Sequence, residues 1–296
     1  MSHDATDTTV DTTVAPAYDA AEVYALGADT DETARLRRQS EELQPEARAL
    51  LGRLRELGLR PGQTAIDLGC GPRGILDLLA EAVGPDAQGG RGGRVVGLDA
   101  DPAHVAAARE YAVSRGFANV EVLAGDARHT GLPAESFDLA HTRTLLVTIP
   151  EPAGVVAEMV RLARPGGLVA SQEADAEFSI CYPPLPEWDR LWSLFQASFP
   201  RAGADLRLGR RLPELFREAG LTDVGATVYA SCYPAGHSRR TVIPDLVRSL
   251  HPVILGLGLA GERELADVDA AVRAHLADPR TLIMPHLLVT AWGRKP

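Results

Sequence analysis

The sequence is constrained most by a strict alternation that begins at residue 64. Short apolar runs at 64–68, 94–99, 120–123, 137–142 and 168–172 read as strands. Stretches with apolar residues at helical spacing, 75–83, 102–115 and 152–163, read as the helices between them. Strand–helix–strand units close by right-handed crossovers, so this order dictates a parallel, doubly wound sheet. Upstream, Leu36, Leu43, Leu50, Leu51, Leu54 and Leu57 are spaced for amphipathic helices broken near Pro45, and Gly58 with Pro61-Gly62 stops them. Downstream the alternation lapses. Helices are expected at 187–199 and 212–219 before a sixth strand at 227–231, and at 241–257 and 261–277 before a last strand at 282–292. The expected fold is α/β, a mostly parallel seven-stranded sheet with N-terminal helices and a helical cap inserted after strands 5 and 6.

Charge is unevenly placed along this frame. The chain has 40 acids and 30 bases, a formal charge of −10, yet residues 1–34 hold eight of the acids and no Lys or Arg. The remainder is nearly neutral, with 32 acids against 30 bases. Without a lysine-rich stripe such a body does not neutralise a phosphate backbone, which argues against nucleic acid as a partner. Every base but Lys295 is Arg. A lone lysine one residue from the end argues against Schiff-base and pyridoxal chemistry and against a Walker phosphate loop. Cys70, Cys181 and Cys232 are scattered, so a reduced compartment is expected and no metal framework. The longest apolar runs, such as 253–260, fall short of the roughly 20 residues that cross a bilayer. The N-terminus lacks the basic-then-apolar pattern of a signal peptide. The expectation is a cytoplasmic protein with no membrane partner.

Chemistry concentrates where the first strand meets the first helix. Gly69, Gly71 and Gly74 in Asp67-Leu68-Gly69-Cys70-Gly71-Pro72-Arg73-Gly74 let the backbone turn sharply and approach a ligand. A dinucleotide needs loop amides facing its pyrophosphate. Here Pro72 removes one amide, and Asp67 would repel a phosphate while attracting an ammonium or sulfonium. Asp99 ends the second strand, where a carboxylate can accept from two ribose hydroxyls. Asp126, in Gly125-Asp126-Ala127, ends the third, where it can accept from an adenine amine.

Together with Leu162-Ala163-Arg164-Pro165-Gly166-Gly167, these segments resemble the ordered motifs of class I S-adenosylmethionine-dependent methyltransferases, over about residues 60–175. The resemblance implies a Rossmann-like methyltransferase fold, S-adenosyl-L-methionine as cofactor and S-adenosyl-L-homocysteine as product. It places Asp67, Gly69, Cys70 and Gly71 at the methionine end, Asp99 and Ala100 at the ribose, and Asp126 and Ala127 at the adenine. Arg73 departs from the glycine or small residue of many relatives. Tyr24-Ala25-Leu26-Gly27 with Glu32, Arg35-Leu36 and Gln39 resembles the leader of a bacterial small-molecule subgroup, which implies that Tyr24 and Gln39, with Tyr18 behind them, close over the cofactor. A homo-oligomer through that leader is a further expectation. The organisation then reads as a disordered acidic arm over 1–17, a leader or lid over 18–60, a cofactor-binding core over 61–175, a cap over 176–220, and C-terminal strands over 221–296 with a helical insertion at about 241–277.

The acceptor side is drawn from the residues after the fifth strand. Phe178, Tyr182, Trp188, Trp192, Phe195 and Phe199 fall close together, the last four on one helical face, and are expected to wall an apolar acceptor pocket. Glu173 is the expected general base, with Asp175 and Glu177 as rivals and His141 and His237 behind them. Arg201, Arg207, Arg210 and Arg211 form a basic cluster suited to an anionic acceptor. These readings converge on methyl transfer to a small, largely apolar metabolite of specialised metabolism, on carbon or oxygen, an isoprenoid or isoprenyl diphosphate among the candidates. Two alternatives stand beside it: a cofactor-binding scaffold or rearrangement catalyst without methyl transfer, and a nicotinamide oxidoreductase favoured only by G-x-G-x-x-G and Asp99.

Overall fold

The computed structural model describes residues 30–85 and 92–296. Two helices, α1 (Thr30–Glu42) and α2 (Gln44–Glu56), lead in and part at Leu43, because Pro45 in the first turn of α2 cannot donate back into α1. The alternating core follows as β1 (Thr64–Leu68), α3 (Leu76–Val83), β2 (Arg94–Asp99), α4 (Pro102–Ser114), β3 (Val120–Ala124), β4 (Phe137–Arg143), α5 (Pro152–Leu162) and β5 (Ala163–Asp175). Asp101 caps α4 by accepting from the Ala103 amide, and Pro102 fills its first turn.

The remaining elements are β6 (Ile180–Tyr182), α6 (Pro186–Ser198), α7 (Leu208–Glu218), β7 (Thr222–Tyr229), α8 (Val242–Ser249), α9 (His251–Gly256), α10 (Glu262–Ala277), β8 (Leu282–Met284) and β9 (Leu287–Arg294). The main sheet has seven strands in the order β3-β2-β1-β4-β5-β9-β7, parallel except for β9, which runs antiparallel to both neighbours. Ile66, Leu68, Val96, Leu98 and Ala140 face one layer with α5 and α6, while Ala65, Val95 and Leu139 face another with α2 and α3. Burying each large side chain is worth roughly 1.5–3 kcal/mol, which fixes the register of the central strands β1, β2 and β4. The chain moves outward from β1 to β2 and β3, then crosses back to β4. That reversal opens a crevice at the carboxyl ends of β1 and β4.

Three boundaries differ from expectation. The last strand, expected whole at 282–292, is cut at Pro285-His286: β8 leaves to pair with β6 in a two-stranded ribbon, and only β9 joins the sheet. The sixth strand of the sheet starts at Thr222 rather than 227, since β7 is an exposed edge without apolar alternation. The stretch 241–257 forms two helices, with Pro252 in the first turn of the second. Residues 1–29, which hold the acidic arm, Tyr18, Tyr24 and the first part of the leader through which an oligomer is expected, lie outside the described residues. Among the described residues no helix is long and apolar enough to cross a membrane, and no group of His, Cys, Asp or Glu is arranged to hold a metal ion.

Candidate functional site

The loop after β1 is folded by its glycines. Gly69, Gly71 and Gly74 all have positive φ, at 67°, 57° and 54°. At Gly74 an added Cβ would stand 2.3 Å from Asp67 Oδ2, so the position admits no side chain. At Gly71 a Cβ would meet nothing within 4 Å, so the backbone there faces open space. Beneath the loop Asp67 is buried, bonded through Oδ1 to His141 Nδ1 at 2.8 Å and accepting from the Ile75 amide through Oδ2. His141, fully buried, thus braces Asp67 from within the sheet. Burial, with Asp99 and Asp67 nearby, pushes the Cys70 thiol well above its ordinary range, so it is a packing group there.

A cavity of about 350 Å³, counting the space at its mouth, opens over this loop between Asp67, Gly69, Cys70, Gly71, Gln39 and Arg143. Arg143, at the end of β4, is buried; one terminal nitrogen donates to the Gly74 carbonyl at 3.2 Å, and Nη1 has no partner among the described residues. Burial is the main reason its guanidinium is pushed down to about 10; Asp67 opposes the shift and Arg239 adds to it. A carboxylate on one wall and an unsatisfied guanidinium on the other fit the sulfonium-bearing amino-acid end of S-adenosylmethionine. Asp67 would attract its cationic centres and Arg143 its carboxylate.

The outer acids are engaged by protein. Asp99 accepts from the Gly71 amide at 2.7 Å and the Asp101 amide at 3.0 Å, tying the glycine loop to the end of β2. Asp126 takes the Arg128 guanidinium on both oxygens and the Arg128 amide on Oδ1, and this pairing holds its carboxyl below the usual range. Adenine recognition by Asp126 therefore requires Arg128 to yield. Ala100 is exposed and Ala127 packs at the core edge; neither lines the cavity. Arg73 turns outward, donating to Glu41 at 2.5 Å and Asp77 at 3.1 Å and lying over Tyr111, so its bulk does not enter the site.

A second cavity, about 620 Å³ including its open mouth, adjoins the first and shares Leu36, Gln39 and Thr144 with it. Its apolar walls include Val147, Phe195, Phe199, Val242 and Ile243, and its polar lining is Arg35, Gln39, Thr144, Thr148, Arg239 and His286. Gln39 stands at the seam, donating to Thr144 Oγ1 at 3.1 Å and accepting from Arg35 at 2.8 Å. Of the expected aromatic wall, Phe195 and Phe199 line this space. Trp188 and Trp192 stack behind them, with centroids 6.0 Å apart, and Trp192 leads on to Phe195 at 5.6 Å. Phe178 and Tyr182 are exposed and apart from it.

Two expectations are corrected by placement. Glu173 is fully buried and lines neither cavity. It accepts from the amides of Leu145, Leu146 and Val147 and from Ser171 Oγ, so it clamps the turn after β4 and has no route to an acceptor. Burial raises its carboxyl to about 7 against the lowering by these donors. Arg201 and Arg207 are exposed outside both cavities, and the cluster spends its charge locally: Arg207 and Arg210 pair with Glu177, Arg210 also with Asp175, and Arg211 with Asp205. The same pairs occupy the rival acids. Arg143, Thr144, Arg239 and His286 were not singled out by the sequence. Arg143 and Thr144 had one usable signal, their position at the carboxyl end of a parallel strand; Arg239 and His286 had none.

The sheet order, the antiparallel β9 and the glycine-loop crevice define a class I S-adenosylmethionine-dependent methyltransferase. Residues 59–220 match the methyltransferase domain model, and the chain belongs to that family. It is 30% identical to the demethylmenaquinone methyltransferase of Geobacillus kaustophilus (strain HTA426) over 196 residues, covering 62% of this chain and 81% of that one. Shorter matches reach 37% identity. One is an uncharacterized 37.1 kDa protein in transposon TN4556 of Streptomyces fradiae, covering 55% of this chain and 45% of that one. Another is the nocamycin O-methyltransferase of Saccharothrix syringae, covering 37% of each. The chain thus spans less than half the length of two of these relatives. Phosphoethanolamine N-methyltransferase 2 of Haemonchus contortus, solved with phosphomonomethylethanolamine and S-adenosylhomocysteine, shares the fold at TM-score 0.51 and 18% identity, over 82% of this chain and 51% of that one.

Proposed function

We propose that the protein transfers a methyl group from S-adenosylmethionine to a small, largely apolar metabolite held between Phe195, Phe199 and Val242. The observation that carries this reading is the junction of two cavities at Gln39 and Thr144, one polar and built on the glycine loop, the other apolar and walled by the cap. The cofactor supplies an already activated methyl on its sulfonium, so the chain's own work is to hold and orient. Gly69 and Gly71 admit the donor, Asp67 and Arg143 fix its amino-acid end, and Gln39 with Thr144 closes the wall from α1. The aromatic wall excludes water from the acceptor. Orientation of this kind is worth up to roughly 7–11 kcal/mol of a barrier, more than the roughly 3–5 kcal/mol of a general base. The similarity to a demethylmenaquinone methyltransferase and a nocamycin O-methyltransferase supports a small organic acceptor.

The test is incubation with methyl-labelled cofactor and a panel of apolar metabolites bearing hydroxyl or activated carbon groups, with calorimetry of S-adenosylhomocysteine alongside. Label should appear in at least one acceptor, and the product should bind in the absence of any acceptor. Tight binding of NADH with no binding of S-adenosylhomocysteine would overturn the proposal.

A further inference from the structure

Among the described residues the second cavity contains a buried cation without a counter-ion. Arg239 and Arg240 are neighbours in the short 3-10 turn Ser238–Thr241, each 3% exposed. Arg240 is satisfied: it donates to the carbonyls of Leu276, Tyr233, Asp278 and Thr281. Arg239 is not. One terminal nitrogen donates to His286 Nε2 at 2.9 Å, the guanidinium lies 5.7 Å from the Tyr233 ring centre, and Nε has no partner among the described residues. No Asp or Glu lines the cavity among the described residues. A guanidinium stays charged, and burying that charge unpaired is costly unless something on the cavity side repays it.

The surroundings strengthen the imbalance. Burial first, and Arg239 second, push His286 down to about 3, so its ring is neutral and accepts from the guanidinium instead of competing with it. Arg143, across the shared wall, adds a second buried positive charge, and Arg239 is among the causes that depress it. The rest of the lining is mainly Phe, Val, Leu and Ile, with Gln39, Thr144 and Thr148 on the side shared with the first cavity and Arg35, only partly buried, donating to Gln39 Oε1 at 2.8 Å. A positive pole in an apolar chamber matches an amphiphilic anion.

We propose that Arg239 is the recognition group for an anionic oxygen of the methyl acceptor, a carboxylate, enolate or phenolate on a largely apolar body, with His286 as the positioning residue that holds the guanidinium. This deepens the reading of the cavity as the acceptor site and rests on it. It also fits a wall that has no carboxylate among the described residues: an anionic oxygen that is itself the nucleophile, or is conjugated to it, needs no base to ionise it. The basic residue that meets the anion is then the buried Arg239, not the exposed cluster at Arg201 to Arg211.

The test uses the full chain saturated with S-adenosylhomocysteine and titrated calorimetrically with 2-naphthoate and with 2-naphthamide, its neutral counterpart. The acid should bind about 10- to 100-fold more tightly, the range of a buried hydrogen bond to a charged group. Arg239→Met should bring the acid down to the amide, and Arg239→Lys should keep part of the preference. Val242→Trp, which fills the cavity, should abolish binding of both probes while leaving S-adenosylhomocysteine bound. Equal affinity of acid and amide for the unmodified chain overturns the proposal, whether or not Arg239→Met folds. So does naphthoate binding that survives Val242→Trp, or absence of any naphthoate binding. Loss of S-adenosylhomocysteine binding by the unmodified chain would instead defeat the methyltransferase reading beneath it.

Discussion

Glu173→Gln separates a structural carboxylate from a catalytic one. Oε1 accepts from Leu145 N at 3.3 Å, Leu146 N at 3.1 Å and Ser171 Oγ at 3.2 Å, and Oε2 accepts from Val147 N at 3.2 Å. A glutamine keeps one acceptor and turns an NH₂ toward a backbone N–H, so a buried donor faces a donor. An unsatisfied buried group costs roughly 1–3 kcal/mol, and each kcal/mol moves Tm by about 2–4 °C in a domain of this size. The pH dependence sharpens the test. The carboxyl is raised from 4.5 to about 7 by burial. Between those values the folded state binds a proton that the unfolded chain has lost, so this group's contribution is full below the unfolded value and declines as pH rises through the folded one. At about 1.36 kcal/mol per pH unit, the decline amounts to roughly 3 kcal/mol at most. Glutamine does not titrate, so the stability of the unmodified chain relative to the variant should fall from pH 5 to pH 8 by up to that amount, read as urea unfolding of both proteins at each pH. Unchanged stability at both values, with label transfer slowed about 10²- to 10⁴-fold, would refute the clamp and restore Glu173 as a base.

Other substitutions test the cofactor cavity. Asp99→Ala releases the Gly71 amide and removes the acid at the end of β2, so affinity for S-adenosylhomocysteine should fall about 10- to 100-fold in calorimetry; an unchanged affinity removes Asp99 from the site. Arg143→Met should weaken S-adenosylhomocysteine by a similar factor while leaving methylthioadenosine, which lacks the amino-acid end, unaffected; equal loss for both would show a general disturbance of the cavity. Gly74→Ala forces a Cβ to within 2.3 Å of Asp67 Oδ2 at positive φ, and should lower both Tm and cofactor affinity; normal values for both would mean that the loop adapts. Gln39→Ala removes the link from α1 to Thr144, so S-adenosylhomocysteine should dissociate about 3- to 10-fold faster in stopped flow, the kinetic worth of one part-buried hydrogen bond.

The parts of the fold that depend on local pattern were legible. Asp67 to Gly74, Asp99 and Asp126 stand at strand ends because a parallel α/β sheet has nowhere else to put such residues. Gln39, drawn from the leader resemblance, reaches the seam of both cavities. Chemistry that depends on burial was not legible. Glu173 and Glu177 look alike in sequence, yet one is enclosed beneath a turn and the other is exposed to Arg207 and Arg210; alternation along β5 and the loop beyond it does not say which amides will need an acceptor. Likewise Arg207 and Arg239 are both arginines near helix starts. Only the packing of α8 against α6, and the break at Pro285 that turns His286 inward, buries the second and leaves the first in water.

The turn 144–148 explains why one buried carboxylate matters to a site that it never touches. Thr144 is β-branched and sits at φ 52°, a conformation that costs on the order of 1–3 kcal/mol and persists only where its surroundings impose it. Three constraints do so: its amide donates to the Gln172 carbonyl at 2.9 Å, Gln39 donates to its hydroxyl, and Glu173 gathers the three amides that follow. These amides lie in an enclosed loop, where water cannot serve them, so an acceptor must come from the sheet below. Glu173 on β5 is that acceptor, and Thr144, Val147 and Thr148 are thereby presented as wall. Because Thr144 belongs to both cavities, loosening the clamp should weaken donor and acceptor together, whereas Arg143 and Arg239 should each affect one and spare the other.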